Sequence, residues 1–128
     1  MARILLVDDE PSVRAPLVRA LQIDGHGVTE AVDGADALEQ FTADPAAFDL
    51  LISDIRMPIM DGIALTLAVA AEKPGFPIVL MTGYAEQRER ARELEGLVED
   101  VLTKPFSLAD FRAAIRAVLE RRDLIRGS

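Results

Sequence analysis

Three aspartates, a threonine and a lysine are the residues of this chain whose types suit a common chemistry: Asp8, Asp9, Asp54, Thr82 and Lys104. Each follows a short apolar run. Ile4-Leu5-Leu6-Val7 leads into Asp8-Asp9, Phe48-Asp49-Leu50-Leu51-Ile52-Ser53 into Asp54, Ile78-Val79-Leu80-Met81 into Thr82, and Leu97 to Leu102 into Thr103-Lys104-Pro105. Carboxylates gathered in one place repel unless a cation shares the site. Oxygen ligands with few protein donors suit Mg²⁺, which keeps several waters and binds beside phosphoryl groups. A divalent cation, a hydroxyl and an ammonium together make a cradle for phosphoryl oxygens, and one carboxylate can then serve as a nucleophile that forms an acyl phosphate. Asp54 is the better candidate for that role, because it ends the most apolar run, near the middle of the sheet. Asp8 and Asp9, being adjacent, read as a metal-binding pair.

The elements that must position these residues are legible from periodicity. Short apolar runs alternate with longer amphipathic stretches, the pattern of a parallel α/β sheet. Helices are expected over about Ser12–Asp24 (Val13, Leu17, Ala20 and Leu21 on one face, Pro16 tolerated near its start), Gly34–Thr42, the stretch to Glu72, Ala85–Leu94, and Ser107–Arg121 with Ser107 as N-cap. Gly27–Ala31 reads as a weaker, edge-like strand. Five βα units fill residues 1–121 as one domain, and 122–128 read as a tail, linker stub or expression remnant. In open parallel sheets ligands bind outside the carboxyl ends of the strands, so all five residues should meet at one rim.

Composition excludes other chemistries. The 128 residues contain no Cys and a single His, His26, so thiolate sites, disulfides and multi-His metal clusters are ruled out. Acidic residues number 22 against 14 basic ones, a net charge of −8. That balance argues against nucleic-acid binding. Residues 1–64 hold 12 acids and 4 bases, so the whole excess lies in the first half. Of the basic residues only Lys73 and Lys104 are lysines. A compact ammonium kept in an arginine-rich chain suggests a need for it. No apolar run approaches the ~20 residues of a membrane span, and no signal segment is evident. The expectation is a cytoplasmic chain.

Four motifs now carry a resemblance. Leu-Leu-Val-Asp8-Asp9-Glu, Ser-Asp54-Ile-Arg-Met-Pro58-x-x-Asp61-Gly62, Met-Thr82-Gly83 and Thr-Lys104-Pro105-Phe106 resemble, in order and at the strand ends, those of bacterial two-component response-regulator receiver domains of the CheY-like superfamily. The resemblance implies a flavodoxin-like three-layer sandwich, a doubly wound five-stranded parallel sheet of order 2-1-3-4-5. It implies Asp54 as phospho-acceptor, and Mg²⁺ held by Asp9, Asp54 and the backbone carbonyl of Arg56, with Asp8 acting through a water. Thr82 would sense the phosphoryl group, Lys104 would pair with it, and the Lys104–Pro105 bond would be cis. A sensor histidine kinase or histidine phosphotransferase would be the donor, and the domain would catalyse transfer to itself. An output protein would read the face made by the fourth helix, fifth strand and fifth helix, with no direct nucleic-acid or membrane contact.

Two departures stand out. Val101 occupies the position where the family usually has a Tyr or Phe, and Gly83 stands for its usual Ala. Tyr84, the only tyrosine, is expected to share the switching role or cap the site, with Arg56 flanking the phosphoryl group. Met-Thr-Gly-Tyr-Ala and the Arg-rich helix after it are similar to stand-alone regulators of the CpdR type, which control regulated proteolysis, so a protease-adaptor-related partner is one expectation. The alternatives are a receiver excised from a longer DNA-binding regulator or hybrid kinase, and a Mg²⁺-dependent phosphohydrolase. The latter lacks both its general acid, since Arg56 takes that place, and a cap insertion.

Taken singly, each motif has an ordinary explanation: Asp8-Asp9 as a helix entrance, Asp61-Gly62 and Thr82-Gly83 as turns, Lys104 as a surface lysine. Five such coincidences at one rim are not ordinary. His26 reads as a loop residue without function. The Glu-Arg stretch 86–95 reads as a solvated face with pairs such as Glu86–Arg90, or as a mobile switch helix with few anchors. Arg112, Arg116, Arg121, Arg122 and Arg126 form either a partner-facing surface or a solvated one.

Overall fold

The structure, a computed structural model, describes residues 1–83 and 85–123, with backbone only at 85–87. Five parallel strands, β1 (Arg3–Val7), β2 (Gly27–Ala31), β3 (Leu50–Asp54), β4 (Ile78–Thr82) and β5 (Asp100–Thr103), form one sheet of order β2-β1-β3-β4-β5. Five helices alternate with them: α1 (Pro11–Ile23), α2 (Gly34–Ala43), α3 (Gly62–Glu72), α4 (Ala85–Arg92) and α5 (Leu108–Arg121). The doubly wound fold implied by the motifs is the one observed.

The unbroken apolar runs follow from burial on both faces. Alternate residues serve opposite layers. Ile4, Leu6, Leu50, Ile52, Val79 and Met81 pack under α1 and α5, against Leu17, Leu21, Phe111 and Ile115. Leu5, Val7, Leu51, Ile78 and Leu80 face Phe41, Leu65, Val69, Ala91 and Leu94 on the other side. Each such side chain contributes about 1.5–3 kcal/mol by leaving water. β2 is an edge strand with Thr29 and Glu30 exposed, which explains its weaker pattern. Ser107 caps α5 as expected, accepting from Asp110 N–H at 3.0 Å, and Pro16 lies inside α1 without breaking it.

Three boundaries differ from expectation by two residues or more, and a 3₁₀ turn, Pro45–Ala47, was not foreseen. β3 starts at Leu50 because Asp49 turns its carboxylate onto Arg3 N–H (2.8 Å) and guanidinium. α4 ends at Arg92, since the bonds Glu93 N–H to Arg90 and Leu94 N–H to Ala91 tighten the chain into successive turns. Those turns use up Leu97, which is 42% exposed, so β5 begins only at Asp100. At the carboxyl end α5 stops at Arg121, and the proposed tail beyond Asp123 lies outside the described residues.

Candidate phosphoryl-accepting site

The register of the sheet brings the predicted residues to one rim. Val7 pairs with Ser53, Asp54 with Met81, and Thr82 with Thr103, so Asp8, Asp54, Thr82 and Lys104 emerge side by side. Lys104 N–H donates to the Thr82 carbonyl at 2.7 Å, which extends the β4–β5 ladder one step to the lysine. The Lys104–Pro105 peptide bond is cis. Asp9, Asp54, Arg56, Gly83, Lys104 and Pro105 line an open cleft of about 640 Å³.

Carboxylate oxygens of Asp8, Asp9 and Asp54 lie within 4.8 Å of one another. Lys104 Nζ stands 3.3 Å from Asp54 Oδ1 and 3.7 Å from Asp8 Oδ2. Asp8 Oδ1 accepts the Glu10 N–H at 2.9 Å, while its buried Oδ2 has no hydrogen-bond partner. Burial pushes the Asp54 carboxyl up to about 6; Lys104 opposes that rise, and Asp8 and Asp9 reinforce it. One lysine thus leaves the cluster short of positive charge. The orphaned Asp8 oxygen, the crowded carboxylates and the all-oxygen donor set fit a hard divalent cation such as Mg²⁺.

The loop after β3 is held against the site by contacts that the sequence shows only partly. Gly62 lies so close to the Asp54 carbonyl oxygen that a Cβ there would overlap it. Gly62 N–H closes the loop onto the Ile55 carbonyl at 2.8 Å, and Ile55 N–H ties it to Met81 at 3.0 Å. Asp61 caps α3 by accepting from Ala64 N–H at 2.8 Å, and its other oxygen pairs with Arg90 at 3.1 Å. Arg90 therefore reaches across to the β3–α3 loop; the side chain of Glu86, its expected partner, lies outside the described residues. Arg14 was missed altogether. Its guanidinium donates to the Asp8 carbonyl at 2.6 Å and pairs with Glu30 at 2.9 Å, bracing the strand end that carries Asp8. An arginine placed four residues after Glu10, on the inner side of α1, was the available signal.

Thr82 is fully buried at the end of β4 and Gly83 is exposed beside it, where a Cβ would meet only the Lys104 side chain at an ordinary 3.7 Å. Tyr84, expected at this rim, lies outside the described residues, so the CpdR-type resemblance gains nothing from the structure. Val101 is half-buried in β5. His26 is a loop residue whose Nδ1 accepts from Ala2 N–H at 3.1 Å. The arginines of α5 and the C-cap Arg122 engage acids of this chain: Arg112 pairs with Asp24, Arg116 with Glu120, and Arg121 and Arg122 with Glu99. Arg126 lies outside the described residues. No helix among the described residues is long and apolar enough to cross a membrane.

Comparison with known proteins identifies the family and the fold. Residues 4–116 match the family model of the response regulator receiver domain. The transcriptional regulatory protein PrrA of Mycobacterium tuberculosis is 38% identical over 120 residues, covering 94% of this chain and 51% of that protein. The response regulator MprA of Mycobacterium leprae is 38% identical over 119 residues, 93% of this chain and 51% of that protein. The chain spans about half the length of these relatives. Among solved structures, a response regulator receiver domain protein from Clostridium thermocellum superposes with a TM-score of 0.87 at 25% identity, over 98% of this chain and 100% of that one. The response regulator TrrA of Thermotoga maritima, in complex with Mg²⁺ and BeF, gives 0.82 at 30% identity, over 93% and 100%. The chain belongs to the response regulator receiver domain family, the signalling modules of two-component systems.

Proposed function

We propose that this receiver domain is a switch set by phosphorylation of Asp54. The observation that carries the reading is the convergence on one carboxylate: Lys104 Nζ at 3.3 Å, and the oxygens of Asp8 and Asp9 within 4.8 Å. A protein bearing a phosphohistidine, either a sensor histidine kinase or a histidine phosphotransferase, supplies the phosphoryl group in the cytoplasm. An Asp54 oxygen bonds to phosphorus as the phosphorus–nitrogen bond breaks, and the imidazole nitrogen leaves with that bond's electron pair. Asp9, Asp54 and the Arg56 backbone carbonyl would hold Mg²⁺, with Asp8 reaching it through a water. When bound, the ion neutralises charge on the phosphoryl oxygens.

The chain's own residues do the rest. Lys104 stays paired with the modified Asp54, and the Thr82 hydroxyl donates to a phosphoryl oxygen. Arg56 at the rim slows attack by water. The added charge shifts a two-state equilibrium in α4, β5 and α5. This suits a helix whose buried anchors among the described residues, with the turn after it, are Ala91 and Leu94. That face then gains or loses a protein partner. The domain accelerates its own phosphorylation and dephosphorylation and turns over no external substrate. Incubation with acetyl phosphate and Mg²⁺ should label wild type and not Asp54→Asn; absence of a Mg²⁺-dependent label on Asp54 refutes the reading. Arg56→Ala should shorten the lifetime of the acyl phosphate, and an unchanged dephosphorylation rate removes the shielding role.

A second reading concerns what the switch controls. Since the relatives named as transcriptional regulatory proteins run to about twice the matched length, the switch acts on an output domain in the same polypeptide. A source gene whose reading frame stops at Ser128 would refute this and leave a separate protein partner.

A further inference from the structure

Between two anchors packed on the core, the β3–α3 loop holds one residue in a conformation that its side chain disfavours. Ile59 has φ +69°, and Met60 N–H donates to the Pro58 carbonyl at 2.8 Å, so Ile59 is the centre of a γ-turn of the positive-φ kind. That form of the turn is rare and strained, and a β-branched residue fits it worst. Ile59 is also 91% exposed, more than any other large hydrophobic among the described residues. Gly or Asn would make the same turn without the strain and without apolar surface in water.

The loop gives Ile59 a rigid base. Met57 is buried on one side, Met60 packs on the same core cluster on the other, and Gly34 presses so close to the Met60 carbonyl that a Cβ would overlap it. Pro58 and Ile59 therefore stand out as a fixed prominence. Nothing within the described chain repays the strain or the exposure, and strain retained in this way points to a functional contact.

We propose that Ile59 is a docking anchor for the protein phosphodonor, seated in an apolar recess beside the donor's phosphohistidine. The inference rests on Asp54 being the phospho-acceptor. The Asp54 side chain is 9% exposed at the floor of a cleft whose rim includes Arg56. A small donor enters that cleft without touching the rim. A macromolecular donor reaches Asp54 only by lying flush against the rim, which covers the loop running from Arg56 through Ile59. A stiff, β-branched side chain already fixed in place loses little entropy on being buried there.

Phosphotransfer profiling tests this with the full chain. Each histidine kinase of the source organism, autophosphorylated with labelled ATP, is mixed with wild type, Ile59→Gly, Ile59→Asn and Ile59→Met; acetyl phosphate serves as the donor that needs no docking. With the kinase fastest toward wild type, Gly and Asn should lower kcat/KM by about tenfold or more, the loss expected of an anchor side chain, while Met stays within about twofold. All four proteins should take label equally from acetyl phosphate, and Gly and Asn should melt at or above the wild-type temperature. Equal kinase transfer to wild type and Asn overturns the proposal. So does a Met variant as slow as Asn, or a wild type that acetyl phosphate labels and no kinase does. Failure of acetyl phosphate to label wild type strikes the Asp54 reading instead. Loss of output-partner binding or self-association in Asn, with kinase transfer intact, reassigns Ile59 to that surface and refutes the donor contact.

Discussion

Replacing Asp54 with Asn should stabilise the metal-free protein, and by an amount that grows with pH. The folded protein holds this carboxyl at about 6, against an ordinary 3.8, chiefly because it is buried. The sign follows from proton counts. Between 3.8 and about 6 the native state binds the proton and the unfolded chain has released it, so stability falls as pH rises through this window. The unfavourable contribution is absent below 3.8 and complete above about 6. At 1.36 kcal/mol per pH unit it reaches about 3 kcal/mol. Asparagine has the same shape and no charge. Urea unfolding in a chelator should therefore show a stability difference, Asn minus wild type, larger by about 2–3 kcal/mol at pH 8 than at pH 4. With m near 2 kcal/mol/M this is a relative midpoint shift of about 1–1.5 M. Added Mg²⁺ should reverse the order once it reaches a thousand times its Kd, where it stabilises wild type by about 4.1 kcal/mol, and Asn far less. A difference that stays constant from pH 4 to pH 8 would refute the assignment of a costly buried charge. Equal stabilisation of both proteins by Mg²⁺ would refute Asp54 as a ligand.

Three further perturbations have defined outcomes. Gly62→Ala should cost about 1–3 kcal/mol in urea unfolding and slow acetyl phosphate labelling, because its Cβ overlaps the Asp54 carbonyl oxygen and displaces strand end and loop together. Gly83→Ala should instead raise stability by about 0.4–1 kcal/mol: its backbone is not left-handed and its Cβ has room at 3.7 Å, so a less flexible unfolded chain is the main effect. Burial holds the His26 imidazole below its ordinary 6.5, and its Nδ1 accepts from Ala2 N–H. The unfolded chain therefore takes up this proton first, and the His26 contribution to stability, present above 6.5, is lost as pH falls below it. His26→Gln should remove that part of the acid slope; an identical slope in both proteins would contradict it.

The strand ends were readable because three physical signals coincide there. A strand buried on both faces must be apolar throughout, so the first polar residue after the run marks the rim, as Asp8, Asp54 and Thr82 do. Charged residues at such a boundary are expensive unless they act together, which singles out Lys104 in a chain that otherwise prefers arginine. β5 was harder to place. Its residues are half-buried or exposed at the sheet edge, and the turns following α4 consume Leu97 and Val98, whose apolar character imitates a strand. Asp49 misled in the opposite way: its carboxylate replaces a backbone partner for Arg3, and that bond between residues 46 apart leaves no local pattern.

What the sequence concealed is mostly bracing. Arg90 on Asp61 and Gly34 against Met60 are contacts between elements far apart in the chain, and Arg14 on the Asp8 carbonyl joins a strand end to the helix after it; periodicity reports none of them. Ile59 was concealed differently. Within Met57-Pro58-Ile59-Met60 it reads as one more apolar residue, and only its positive φ and its exposure separate it from the methionines that fasten the loop. The proposed acceptor chemistry is built from residue types, which a sequence displays. The rigidity that aims it is built from backbone proximity, and there a missing Cβ at Gly34 and Gly62 carries as much positional information as the charged groups themselves.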